Sequence, residues 1–171
     1  MKRIAFTLLS IALFAGIQSF AQDDMEKRKS PPATAKAKIG DAQITINYSS
    51  PAVKGREIFG DLVPYDKIWR AGANEATTFE TSADVKVNGK TLAAGKYSFF
   101  VIPNAKGKWT VIFNKDHKQW GEYKYDQSKD ELRIDAVVKN IALVESLTYE
   151  IKNKKVYLNW SNKSVQFNIE R

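Results

Sequence analysis

The sequence predicts an all-β domain: an antiparallel β-sandwich of about nine strands carrying two long irregular loops. Three observations lead there. Short runs in which apolar and polar residues alternate recur along the chain. An Asn-Gly pair, Asn88-Gly89, separates two such runs and marks a two-residue hairpin turn. No stretch carries the apolar period of a convincing amphipathic helix, and no internal repeat is visible.

At the amino end, Lys2 and Arg3 precede an apolar run over residues 4–17, and Ser19-Phe20-Ala21 offers the small residues that a signal peptidase reads. Residues 1–21 are therefore expected to be a secretory signal. The run falls short of the roughly 18 to 20 residues a membrane-crossing helix needs, and no later segment approaches that length, so no integral membrane segment is expected once the signal is removed. The product is expected in the periplasm or secreted. Removing 21 of the 171 residues leaves 150, enough for one domain with one core, and takes two cations from the formal charge of +8, leaving +6. The lysines are scattered rather than blocked, as on an ordinary solvated surface. There is no cysteine, which excludes disulfides, a lipid-modified cysteine, thiol nucleophiles and thiolate metal sites.

Residues 22–38 are polar, charged and interrupted by Pro31-Pro32, and read as a flexible lead-in or an irregular first edge. The ordered domain is expected over residues 39–171. Ile44, Ile46 and Tyr48 alternate with Thr45 and Asn47, a half-buried strand. Residues 76–81 return the chain to the sheet after the first long loop, and the hairpin across Asn88-Gly89 follows. In residues 96–102 both faces are apolar, Tyr97, Phe99 and Val101 against Phe100 and Ile102, which predicts a central strand. Further strands are expected at 109–113, 132–138, 146–151, 156–160 and 165–169, with Asn153-Lys154 and Asn162-Lys163 between the last pairs. Residues 141–145 read equally as a strand extension or one helical turn.

The first loop, residues 50–78, is the centre of the functional reading. It is punctuated by Pro51, Gly55, Gly60, Pro64 and Gly72, yet keeps Ile58, Phe59, Leu62, Val63, Ile68 and Trp69, so it should fold back onto the body. The second loop, residues 114–130, is polar apart from Trp120, Tyr123 and Tyr125. Arginine is scarce among many lysines, but Arg56 and Arg70 both fall in the first loop, and a guanidinium offers a planar fork of donors suited to carboxylate, phosphate or carbonyl groups. Arg56, Trp69, Arg70, Asn74, Asn114, Trp120 and Tyr125 are accordingly the candidate ligand-binding residues, the arginines orienting acceptor groups and the aromatics stacking. In the competing packing view, Arg70 pairs with Asp61 or Asp66, and Trp69 and Trp120 plug the open end of the sandwich.

Other chemistries find little support. His117 is the lone histidine, so imidazole zinc sites are excluded; it reads as a solvent-exposed side chain rather than a general base, and no Gly-x-Ser-x-Gly elbow presents a serine to it. Asp116, Asp126 and Asp130 lack the spacing of a calcium loop. No metal site, no cofactor and no nucleic-acid partner is expected, and no catalytic residue is selected. The first reading is a non-catalytic β-sandwich binding a small-molecule, polar or glycan-like ligand or an envelope component between the two loops. Its alternatives are a hydrolase or lyase acting on an envelope polysaccharide with loop carboxylates and Arg70 as charge stabiliser, and a structural module whose loops meet another, unidentified envelope protein.

Several longer motifs stand together in this chain: Tyr48-Ser49-Ser50-Pro51, Val53-Lys54-Gly55-Arg56, Leu62-Val63-Pro64-Tyr65, Trp69-Arg70-Ala71-Gly72-Ala73-Asn74-Glu75-Ala76-Thr77, Ala94-Gly95-Lys96-Tyr97-Ser98 and Gln119-Trp120-Gly121. With them the sequence resembles domain-of-unknown-function family 2911, secreted proteins mainly of Bacteroidetes-type bacteria. The resemblance implies export and an intact domain across most of the mature chain. It brings no catalytic residues to carry over.

Overall fold

The computed structural model of the chain describes residues 28–171. The expected signal at 1–21 and the first residues of the expected lead-in lie outside that range. Within it, strand structure begins earlier than the polar composition suggested. β1 (Pro32–Ile39) pairs antiparallel with β2 (Ala42–Ser49) along its whole length, from Pro32 opposite Ser49 to Ile39 opposite Ala42. Of the two readings of this segment, residues 32–38 follow the edge, as a regular strand. Its more buried positions are Ala33, Ala35 and Ala37, whose methyl groups give alternation without a strong apolar signal, while Pro32 and the lysines suit an edge.

β3 (Thr78–Thr81) adds to β2, and β4 (Val85–Val87) with β5 (Lys90–Leu92) forms the expected hairpin. Asn88 and Gly89 hold φ of 46° and 79°, the left-handed pair that such a turn requires. β6 (Gly95–Ile102) and β7 (Lys108–Asn114) follow. β8 (Asp130–Lys152) and β9 (Lys155–Glu170) close a long hairpin at Asn153-Lys154, again with two left-handed residues at φ 51° and 57°. Each of these strands spans two of the expected ones. Residues 141–145 extend β8 while the register slips between Asn140 and Val144 and again between Val144 and Thr148. In β9 the strand runs through Asn162-Lys163, next to Ser161 at φ 53°. Such bulges bend a strand without ending it.

All nine strands form one antiparallel sheet in the order β1-β2-β3-β6-β7-β8-β9-β4-β5. Two strands separate β6 from β9 in that order, yet the Phe99 ring on β6 lies 5.9 Å from Phe167 on β9, and also 5.9 Å from Tyr149 on the far half of β8. The ladder therefore folds over on itself. The two layers of the expected sandwich are opposite stretches of one continuous sheet, closed on one core of Ile44, Phe79, Phe99, Phe113, Leu158 and Phe167 among others.

The central position expected for β6 is observed. Tyr97, Phe99 and Val101 face the main core, whereas Phe100, with Ile112 of β7, is fully buried on the opposite face. That outer face is covered by Ile68 and Ala76 from the first loop and Tyr125 from the second. An apolar outer face on β6 and β7 is what draws both loops to the same place.

Candidate functional site

The first loop runs beside β6 as an irregular continuation of β3. The Trp69 amide donates to the Val101 carbonyl at 2.8 Å, and Val101 returns a bond to Trp69 at 2.9 Å; Phe99 donates to Thr77 at 2.7 Å. This local alternation turns Trp69 into the main core and Ile68 into the outer cluster. Between them and Thr77 the chain turns tightly. A Cβ on Gly72 would come within 2.8 Å of Thr77 Oγ1 and 3.1 Å of the Ser49 carbonyl, so only glycine fits. Ala71 holds φ of 52°, which costs a residue with a Cβ about 1 to 2 kcal/mol. Its carbonyl accepts from the buried Tyr149 Oη at 2.8 Å and from Thr77 Oγ1 at 3.0 Å, and these bonds hold the turn in place.

The second loop meets this turn. Ala76 donates to the Gln119 carbonyl at 3.1 Å, and Gly121 donates to the Asn74 carbonyl at 3.1 Å, an oxygen that also accepts from Arg70 Nη1 at 3.0 Å. Arg70 Nε stands 2.9 Å from Glu122 Oε2. The N–H is not aimed along that line, so the carboxylate oxygen is held by charge and makes no aligned hydrogen bond. Arg70 thus pairs with Glu122 of the other loop and with neither Asp61 nor Asp66; Asp66 instead accepts from Asn104 Nδ2 at 2.7 Å.

Where the loops meet there is a recess of about 290 Å³. Arg56, Trp69, Arg70 and Asn74, four of the seven residues expected at the site, line it together. Arg56 is exposed and spends Nε on the Val53 carbonyl at 3.0 Å and Nη2 on the Ala52 carbonyl at 2.6 Å. Among the described residues no carboxylate lies within ion-pair distance of it, and its Nη1 has no partner. Arg70 Nη2 is likewise uncommitted among the described residues. Leu62 and Ile68 supply apolar wall.

Trp69 plays a different part from the one expected. It is 7% exposed, stacks on Trp160 at 5.8 Å and 17°, and has Phe59 edge-on at 5.8 Å. It is a wall of the recess, with its ring faces already in use. Trp160, which sequence reasoning did not select, lines the recess beside it, and its buried Nε1 has no acceptor among the described residues. Four buried side-chain polar atoms in the described residues lack a hydrogen-bond partner, and two of them, Trp160 Nε1 and Glu122 Oε2, belong to residues lining this recess.

The other three expected residues stand outside it. Asn114 is fully buried and ties the second loop down: Nδ2 donates to the Asp126 carbonyl at 2.9 Å and to Asp130 Oδ1 at 2.8 Å, while Oδ1 accepts from the Asp116 amide at 3.0 Å. Tyr125 packs edge-on against Phe100 and donates to Asp130 Oδ2 at 2.7 Å, with Arg133 Nη2 donating to its oxygen at 2.7 Å. Burial and the Asp130 carboxylate, only partly offset by Arg133, push its phenol up to about 12. Trp120 is 55% exposed and joins the first loop through a backbone bridge to Glu75, so it neither lines the recess nor plugs the sheet. His117, expected in solvent, is half-buried. Among the described residues no group of three or more acidic or imidazole side chains is placed to hold a metal ion.

The amino-terminal segment also reaches the site. Ser30 lines the recess, and its carbonyl accepts from Asn74 Nδ2 at 3.2 Å. Arg28 Nη1 donates to both carboxylate oxygens of Glu75, at 2.8 and 3.0 Å. Burial raises the Glu75 carboxyl, but the bonds from Arg28 and its own backbone outweigh this and bring it below the ordinary value.

Fold and recess together define a class: an all-β domain of one folded-over antiparallel sheet, with two loops enclosing a small cationic pocket. A family model described as a protein of unknown function (DUF2911) matches residues 30–169, and the chain belongs to that family. No curated protein and no solved structure matches it. Among the described residues no helix is long and apolar enough to cross a membrane.

Proposed function

We propose that this chain is an exported, non-catalytic binding protein that takes a small polar or glycan-like ligand into the recess between its two loops. One observation carries the reading: Arg56 and Arg70 line the same pocket of about 290 Å³, and each keeps a guanidinium nitrogen uncommitted among the described residues. Donors left free at the rim of a pre-shaped pocket are what orient a polar ligand, and the volume stands at the small end of the roughly 300 to 1,000 Å³ typical of such sites. Lys2-Arg3 and the apolar run that follows support export to the periplasm or beyond. The hydrolase or lyase alternative is weaker. Among the described residues Glu122 is the one carboxylate lining the recess, and they do not assemble there the acid and base pair that such chemistry uses.

A thermal-shift screen of soluble metabolites and oligosaccharides tests the reading. The expected result is at least one compound that raises the melting temperature of the wild type and fails to do so when Leu62→Trp fills the recess. If every hit stabilises the blocked variant equally, the recess is not the binding site.

A further inference from the structure

Resting on that reading of the recess, we infer that its ligand is a small organic carboxylate, held by Arg56 and Arg70, and not a neutral sugar or a zwitterion. The charges decide this. Among the described residues the recess brings together two guanidiniums and one carboxylate, Glu122, which stands 2.9 Å from Arg70 Nε and is neutralised by it. Among the described residues Arg56 is left as the uncompensated charge, since its bonds go to the neutral Val53 and Ala52 carbonyls. A cation there that has no protein anion is best completed by an anion from the ligand, and a guanidinium presents its remaining donors in the geometry a carboxylate accepts.

A zwitterion fits less well. Its ammonium would have to share Glu122 with Arg70, placing a second cation on a carboxylate that already has one, with Arg56 close by in the same pocket. A neutral polyol would satisfy hydroxyl donors and acceptors and leave the Arg56 charge unmatched. The apolar side of the recess, Leu62 and Ile68, suits the carbon body of an organic acid in a way that would be wasted on inorganic phosphate.

Glu122 makes the inference testable by sign. Replacing it with glutamine keeps the shape and removes a negative charge from the pocket, so an anion binds more tightly, whereas a hydroxyl donor held by the carboxylate binds less tightly. The experiment is titration calorimetry of the purified protein with two pairs of probes that differ in charge, phenylacetate against phenylacetamide and glucuronate against glucose. We expect at least one acid to bind about 10-fold or more tightly than its neutral partner. Its affinity falls about 10-fold or more in Arg56→Gln, rises about 3-fold or more in Glu122→Gln, and is unchanged in Lys67→Gln, a control for general charge loss at an exposed lysine outside the recess. Urea melts of each variant verify folding.

A neutral partner binding as well as its acid, or Glu122→Gln weakening the complex, overturns the carboxylate assignment and leaves the recess as a binding site. Failure of all four probes, while the wider screen still yields a ligand lost in Leu62→Trp, also overturns the carboxylate class alone. If the screen too yields no recess-dependent ligand, both readings fall.

Discussion

Arg70 Nε lies 2.9 Å from Glu122 Oε2, and this contact, made across two loops separated in the chain by β3 through β7, is the only ion pair among the described residues that joins them at the recess. Both side chains are mostly withdrawn from solvent, at 20% and 25% exposed. Removing one partner of such a pair is costly because the other stays desolvated and uncompensated. Arg70→Met, which also forfeits the bond to the Asn74 carbonyl, is expected to cost about 2 to 3 kcal/mol. Glu122→Gln removes the charge that answers Arg70 but leaves the bond to the Asn74 carbonyl in place, and is expected to cost about 1 to 2 kcal/mol. Urea denaturation of the two variants measures both costs; stability unchanged in both would mean that the pair does not tie the loops.

Two fully buried tryptophans should respond oppositely to loss of the indole nitrogen. Trp109 Nε1 donates to the Asn104 carbonyl at 2.9 Å, whereas Trp160 Nε1 has no acceptor among the described residues. Each change to phenylalanine removes the same volume from the core, for about 1 to 2 kcal/mol. Trp160→Phe also relieves an unpaired buried donor, worth a similar amount, so its net effect should stay within about 1 kcal/mol. Trp109→Phe breaks a made bond and should cost about 2 to 4 kcal/mol. Equilibrium unfolding of the pair reads the difference directly.

Asn114 and Trp120 were equal candidates in the sequence and are unequal in the structure. Asn114→Ala removes three hydrogen bonds from a fully buried side chain and should cost about 3 kcal/mol, with faster amide exchange over residues 115–129. Trp120→Ala acts on a ring that is 55% exposed and should change stability by less than about 0.5 kcal/mol. Hydrogen exchange of both variants separates the latch from the surface ring.

What the sequence revealed of this molecule follows from how locally each feature is encoded. Strands with large alternating side chains, such as β6 and β7, and the turn at Asn88-Gly89 are set by neighbours in the chain and were legible. β1 was legible only as one of two readings, a lead-in or an irregular edge, because its inward residues are mostly alanines. The continuity of β8 and β9 was hidden by the register slips near Val144 and by Ser161, where bulges interrupt the alternation that a strand otherwise shows. The meeting of the loops could be anticipated from their apolar content. Which residues they leave free could not. That Arg56 ends on carbonyls, that Glu122 and not Asp61 or Asp66 answers Arg70, and that Trp160 lacks an acceptor are all decided by partners distant in sequence.

Alkaline titration gives the last test, and its direction follows from Tyr125. Burial, then the bond it donates to Asp130, lifts its phenol to about 12 against an ordinary 10.0, with Arg133 pulling the other way. A group raised in the folded state binds its proton more tightly there than in the unfolded chain. The resulting stability is complete below pH 10 and is lost as the pH climbs from 10 toward 12. The full shift would correspond to nearly 3 kcal/mol, but the ring is only partly shielded from solvent, so about 1 kcal/mol is a reasonable expectation. Tyr97 and Tyr149 are raised as well, so the wild type should weaken in this range for more than one reason. Comparison with Tyr125→Phe isolates the one group: at pH 9 the variant should be the less stable, and by pH 11.5 the gap should have narrowed by about 1 kcal/mol. Urea unfolding at the two pH values measures it. A gap that does not change would mean that Tyr125 releases its proton as readily in the folded protein as in the unfolded chain, and that the Tyr125–Asp130–Arg133 cluster does not anchor the second loop.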